Sequence, residues 1–268
     1  MSLLYRYLVY PWHSRNKPLA LGGVAMPRIE PTTILPEAAD RFVETARELI
    51  AAGFTPAGYF QQPDHPDALN RRGYLAVWLH EPDGAVARAV WVRFAHATVP
   101  FRMTSYGVAF TTTFGDGREI VTTNAPTVST FPPSPTVDGV AWKDMNHAAM
   151  LWKLHRARAQ RLQNGQMPVM PAANDDGVDA LVRDTERRVI DFAIGRGYLR
   201  RDADGEVRHT WRGAYLMTWR LLWPWKQITI ARHARKLRRV LAEFPELAAE
   251  AQRLPPSPPA VVEQFISA

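Results

Sequence analysis

Two tight turns in the first half of the chain constrain its fold more than any other feature. Pro82-Asp83-Gly84 and Gly115-Asp116-Gly117 each stand between runs of apolar residues with strand spacing, and such punctuation folds a chain back on itself as antiparallel strands. Five runs have strand character: Phe54 to Gln61, Tyr74 to His80, Val86 to Ala95, Tyr106 to Phe114 and Glu119 to Thr123. Tyr74, Ala76 and Trp78 alternate with their neighbours, as do Val90, Val92 and Phe94, which predicts one covered face and one more polar face.

Helices are expected on either side of these strands. Pro36 suits a first helical turn, Glu37 and Asp40 suit its positive end, and Phe42, Ala46, Leu49 and Ile50 recur at helical spacing until Gly53. A second helix is predicted over Lys143 to Gln163 from Met145, Ala148, Ala149, Trp152 and Ala159. Residues 37–163 thus read as one α+β domain, an antiparallel sheet of about five strands flanked by helices. Residues 1–36 read as an extended arm and 164–175 as a linker, both rich in turn-forming residues.

The smaller second unit, 176–254, reads as helix, hairpin and helices. A helix spans Asp176 to Gly195, a hairpin turns at Asp204 and Gly205, and Pro224 divides two further helices, Trp211 to Trp223 and Gln227 to Leu241. One more short helix is expected after Phe244, and 255–268 reads as a Pro-rich extended tail.

Charge is distributed very unevenly. From Val207 to Leu241 there is no acid, and nine cations give +9, whereas the whole chain carries +7, which leaves −2 for everything else. The same stretch holds Trp211, Trp219, Trp223 and Trp225, side chains with an apolar ring and a polar N–H that suit a water-to-lipid boundary. Helical spacing gathers Trp211, Tyr215, Trp219, Leu222 and Trp223 on one face, with Arg212 and Arg220 beside or behind them. In the next helix Ile230, Ala234, Leu237 and Leu241 share one side, and Arg232, Arg235, Lys236 and Arg239 the other.

The expected role is therefore a non-enzymatic accessory or scaffold subunit, peripheral on the cytoplasmic face of a membrane. It would dock on anionic lipid or on an integral-membrane complex. Trp211, Tyr215, Trp219, Trp223 and Trp225 would anchor it, and Arg220, Lys226, Arg232, Arg235, Lys236 and Arg239 would meet phosphate. Against this stands the plain alternative that the tryptophans are core and the arginines a solvated face. The nearest approach to a spanning segment, Ala214 to Ile230, contains Arg220, Lys226 and Pro224 and falls short of the roughly 18 to 20 uncharged residues that crossing needs. The short apolar patch from Leu3 to Tyr10, interrupted by Arg6, lacks a cleavage pattern and does not read as a signal peptide.

Two other functions compete. Gly197-Tyr198-Leu199, the Asp204-Gly205 turn and Thr210-Trp211-Arg212-Gly213 resemble the wing and following helix of winged-helix proteins over about twenty residues, which implies a nucleic-acid-binding regulator. The helix before that hairpin mixes Arg183, Arg187 and Arg188 with Asp179, Asp184, Glu186 and Asp191, a poor match for phosphate. A small-molecule enzyme would instead need a pocket between sheet and helices lined by Asp116, Asn124 or His147.

Chemistry-bearing motifs are sparse. The absence of cysteine excludes disulfides and thiolate metal or redox sites, and no phosphate loop, nucleophile elbow or dinucleotide fingerprint occurs. Asp144, His147 and His155 could form a ligand row on one helix, though no matched second pair accompanies them, and no metal or cofactor is assigned. Asp64 with Asp67 reads as a loop pair, and Asp175 with Asp176 as helix-start residues.

Overall fold

The computed structural model describes residues 12, 15, 26–62, 69–96, 101–125, 131–222, 224–255 and 261–265. By density of internal contacts the chain forms two units. One comprises 1–25, 127–135 and 180–235, and the other 26–126, 136–179 and 236–268.

The larger unit is built on a mostly antiparallel sheet. In chain order its strands are β1 (Arg28–Ile29), β2 (Thr55–Gln61), β3 (Leu69–His80), β4 (Ala85–His96), β5 (Phe101–Thr113), β6 (Glu119–Thr123) and β7 (Val137–Ala141), and neighbours in sequence are neighbours in the sheet. The five anticipated runs are β2 to β6, joined through the expected turns, where Gly84 and Gly117 adopt positive φ of 56° and 80°. Three further strands complete the sheet, β7 parallel to β6 and an eighth strand discussed below among them. A two-residue edge strand leaves no periodicity to read. The Val137–Ala141 strand carries Asp and Gly amid prolines, which hides its character.

Helix α1 (Pro36–Ala51) starts on its proline and ends before Gly53, whose φ is 92°. Its buried stripe is Ala38, Phe42, Thr45 and Leu49, with Ala46 half-buried against the same core, while Ile50 is exposed. Thr45 is tolerated there because its hydroxyl bonds that of buried Tyr106 on β5. The second helix, α2 (Ala148–Leu162), begins five residues later than Lys143, with His147 as its extended N-cap. Together α1 and α2 cover Trp78, Ala87, Ala89, Trp91, Val108 and Phe110, and Trp152 of α2 meets Phe54 edge-on with ring centroids 4.8 Å apart.

The opposite face of the sheet departs from the expected polar character. Leu75, Val77, Leu79, Val86 and Val92 alternate with the helix-facing residues and are buried as well. Two apolar faces explain why β3 and β4 read as nearly continuous apolar runs.

Segments read as irregular are also held in the larger unit. The 164–175 stretch bonds along the end of β5, Val169 N–H to Thr113 O at 2.8 Å and Gly115 N–H to Met167 O at 3.3 Å. Of the arm, Arg28 and Ile29 pair with β2 and Pro31–Thr33 form a 3-10 turn, while Trp12 and Arg15, which belong to the smaller unit, have helical rather than extended backbone; the other residues before Met26 lie outside the described residues. The Pro-rich tail ends in β10 (Val261–Phe265), which pairs antiparallel with the first half of β5.

In the smaller unit, α3 (Asp175–Gly195) leads from the larger one, entering at Ala180. Strands β8 (Leu199–Arg201) and β9 (Val207–His209) form the hairpin, with Gly205 at φ 83°. Ile190, Ala193, Leu199 and Val207 make a small core against which Phe131 and Tyr198 pack, their rings stacked at 5.5 Å. Helix α4 (Trp211–Leu221) follows, and α5 (Trp225–Glu243) after Pro224 carries the chain back at Lys236 to the larger unit, where α6 (Pro245–Gln252) lies against the first core.

Candidate functional site

The acid-free stretch becomes the hairpin's second strand, α4 and most of α5. Thr210 caps α4, its hydroxyl accepting the Gly213 N–H at 3.0 Å and donating to Gly197 O at 2.6 Å. That cap turns Trp211 outward. Trp211, Tyr215 and Trp219 then form a ladder along one face, with centroids 6.1 and 6.0 Å apart. Trp211 is 41% exposed and Trp219 45%, and Arg15 stacks over the Trp211 ring at 4.6 Å. Leu222 is not on this face, because it leaves the helix in extended conformation, and Trp223 lies outside the described residues.

Helix α5 has no buried residue. Ile230, His233, Leu237, Val240 and Leu241 are half-buried along one side; Ala234 shares that side but is exposed. Trp225, Ile228, Arg232, Arg235 and Arg239 are all exposed, and at 3.6 residues per turn they fall within about 80° of one another. This outward stripe runs from an apolar start to a basic end. Ile228 was missed in the sequence, although its i+3 spacing from Trp225 was the available signal.

The cations are not equivalent. Among the described residues no carboxylate pairs with Lys226, Arg232, Arg235, Arg238 or Arg239. Lys236, by contrast, donates to Asp138 at 2.6 Å. Lys236 and Arg239 belong to the larger unit, and the other proposed contact residues to the smaller. Arg220 is half-buried; burial pushes its guanidinium below the usual range, and the charge of Arg232 pushes the same way against an upward influence of Tyr198.

Hairpin arginines present a contrast. Arg208 is within 3.5 Å of Asp202, Asp204 and Glu206, and Arg200 within 3.1 Å of Asp202. The wing-like turn is thus self-neutralised. Among the described residues of the smaller unit, only α3 precedes the hairpin as a long helix.

Residues weighed for catalysis or metal binding are distributed through the fold. Asp144 precedes α2 and is largely exposed, so it shares no helix face with His147 and His155, and the expected ligand row does not form. His147 sits 3.6 Å from Glu48 and 3.0 Å from Pro255 O. His155 is sealed inside, Nε2 3.0 Å from Thr112 Oγ1 and Nδ1 3.2 Å from Thr122 Oγ1, and burial drives its pKa down to about 3. Arg158, one turn on, donates to Val121 O, Thr122 Oγ1, and Asp138 O and Oδ1 at 2.7–3.1 Å. Asn124 is buried, accepting the Val108 N–H at 2.6 Å, while Asp116 binds Arg118 in the exposed turn at the other end of β6. Asp175 pairs with Arg28 at 2.9 Å, and Asp64 and Asp67 lie outside the described residues. Among the described residues no three His, Asp or Glu side chains gather as a metal site would require, and no helix is long and apolar enough to cross a membrane.

Set against protein-family models, curated proteins and solved structures, the chain matches none.

Proposed function

We propose that this protein is a non-catalytic accessory or scaffold subunit that docks peripherally on an anionic membrane surface through α4 and the first half of α5. One observation carries the reading: Trp211, Trp219 and Trp225 are 41–49% exposed beside cations that no described carboxylate neutralises. Large rings in water with a polar edge suit headgroup depth, and unpaired Lys and Arg suit anionic lipid at about 1 kcal/mol each near the surface. Four or five such groups are enough for reversible attachment.

Nucleic acid is a weaker partner for the same unit. Its hairpin arginines already face Asp202, Asp204 and Glu206, so the wing-like turn offers little net charge to a phosphate backbone.

Cosedimentation of the full chain with phosphatidylcholine vesicles, with and without phosphatidylglycerol, tests the reading. Binding is expected only to the anionic vesicles, with release at high salt and a blue shift of tryptophan emission. Equal recovery in the supernatant with both vesicles would overturn it.

A further inference from the structure

The aromatic ladder is not made by α4 alone. Arg15 meets it from the far end of the chain, its guanidinium carbon 4.6 Å from the centroid of the Trp211 ring. That is well inside the roughly 6 Å over which a ring attracts a cation. Among the described residues no carboxylate competes for Arg15. Trp12 stands one helical turn before it, and the chain itself keeps the two Cα atoms within roughly 11 Å of each other, whatever lies between them. Trp12 is 54% exposed, more than Trp211, Trp219 or Trp225. The contact of Arg15 with Trp211 therefore brings a further water-exposed ring to the ladder, within the same unit of the fold.

We propose that Trp12 and Arg15 complete the docking face: Trp12 is a further anchor in an anionic bilayer, and Arg15 holds it beside Trp211 while offering N–H donors to lipid phosphate. Charge selects this occupant. An apolar protein groove would cover the rings but strand Arg15, Lys226 and Arg232, which no described carboxylate neutralises, whereas anionic lipid supplies partners for rings and cations at one depth. A guanidinium can serve both, because a ring is met through its flat face and a phosphate through the N–H groups in its plane. Leaving water also strengthens a contact between cation and ring, so docking should tighten the hold of Arg15 on Trp211.

This inference rests on the docking reading, and one set of titrations separates the two. The full chain and its variants are titrated with phosphatidylcholine vesicles containing phosphatidylglycerol at two ionic strengths. Trp12→Ala is expected to bind about five-fold or more weakly at both. Arg15→Gln should behave likewise, since it frees Trp12 as well as removing a charge, whereas the loss in Arg235→Gln should fade at the higher ionic strength. The chain has no cysteine, so Trp12→Cys accepts a single environment-sensitive dye, which should shift to the blue on these vesicles. Trp12 is exposed, so neither change there disturbs a core. Unchanged affinity of Trp12→Ala, or a dye at position 12 that stays in water, overturns the inference and leaves docking by α4 and α5 intact. A loss in Arg15→Gln that fades with salt as in Arg235→Gln overturns the holding role of Arg15. Failure of the unmodified chain to bind overturns docking itself.

Discussion

Lys236 and Arg158 hold the same carboxylate oxygen: Lys236 Nζ lies 2.6 Å, and Arg158 Nη2 3.1 Å, from Asp138 Oδ1. One partner is a surface cation of α5 and the other is sealed beneath the sheet-covering helix. Asp138 therefore neutralises a buried guanidinium that bonds no other carboxylate among the described residues, Glu243 acting on it only through space, and Lys236 is already engaged. Asp138→Asn is expected to lower stability by about 2 kcal/mol, less than the roughly 3–5 of a fully buried broken pair because Asp138 is 44% exposed. Lys236→Gln should cost well under 1 kcal/mol and leave vesicle binding nearly unchanged. Urea midpoints and cosedimentation of the two variants check both statements.

Acid should weaken the larger unit in two separable windows. Burial alone would raise the Asp138 carboxyl, but the Lys236 hydrogen bond and the charges of Lys236 and Arg158 outweigh it and hold it below the ordinary carboxylate value. Its contribution is full above about pH 4 and is lost as pH falls through the depressed folded value. His155 acts higher. Its folded pKa of about 3 lies below the unfolded value of roughly 6.5, so the unfolded chain takes up a proton first and stability falls between those values by up to about 1.4 kcal/mol per pH unit. Thr122 accepts from Arg158, which leaves its own proton for His155 Nδ1 and Nε2–H for Thr112. His155→Gln keeps a donor and an acceptor, so its stability should decline less steeply between pH 6 and 4. Equal slopes in urea titrations at those pH values would contradict the assignment.

The sheet was legible where turn chemistry and alternation coincide, as at Gly84 and Gly117, and obscure where neither does. Arg28 and Ile29 are too few for a period, Val137–Ala141 pairs in parallel only after a crossover, and β10 is read as tail because Pro255 to Pro259 precede it. The aromatic face proposed for docking was legible as a face, since the i, i+4, i+8 spacing of Trp211, Tyr215 and Trp219 fixes their common side whatever the tertiary structure does. Tertiary pairing was not. Nothing in the spacing distinguishes Lys236, which meets Asp138 from far along the chain, from Arg235 beside it, and nothing marks Arg220 as half-buried.

Docking should respond separately to rings and to charge. Trp219→Ala and Trp225→Ala are expected to weaken binding to phosphatidylglycerol vesicles by about 5- to 30-fold each, because each removes a ring that would be buried at headgroup depth. Arg235→Gln with Arg239→Gln should weaken it by about 30-fold at low salt and much less at high salt, where the charge contribution is screened. Titrations with vesicles at two ionic strengths separate the effects. Tryptophan variants that lose binding only at low salt would be inconsistent with insertion.

Gly213 decides whether the aromatic ladder is presented at all. A Cβ there would stand 1.8 Å from Tyr198 O and 2.7 Å from its carbonyl carbon, both backbone atoms that cannot swing aside. The same carbonyl accepts the Thr210 N–H at 3.0 Å, so the close approach joins the first turn of α4 to the start of the hairpin. Gly213→Ala must lift that turn and is expected to cost about 2 kcal/mol or more within the smaller unit. Gly195 provides the control, since a Cβ there meets nothing within 4 Å and it is the last helical residue of α3, where alanine is the better helix former. Gly195→Ala should therefore be neutral or stabilising by a few tenths of a kcal/mol. Amide hydrogen exchange over α4 should speed up in Gly213→Ala alone, and vesicle binding should fall with it, because Trp211, Tyr215 and Trp219 can act together only while the capped first turn holds them on one face.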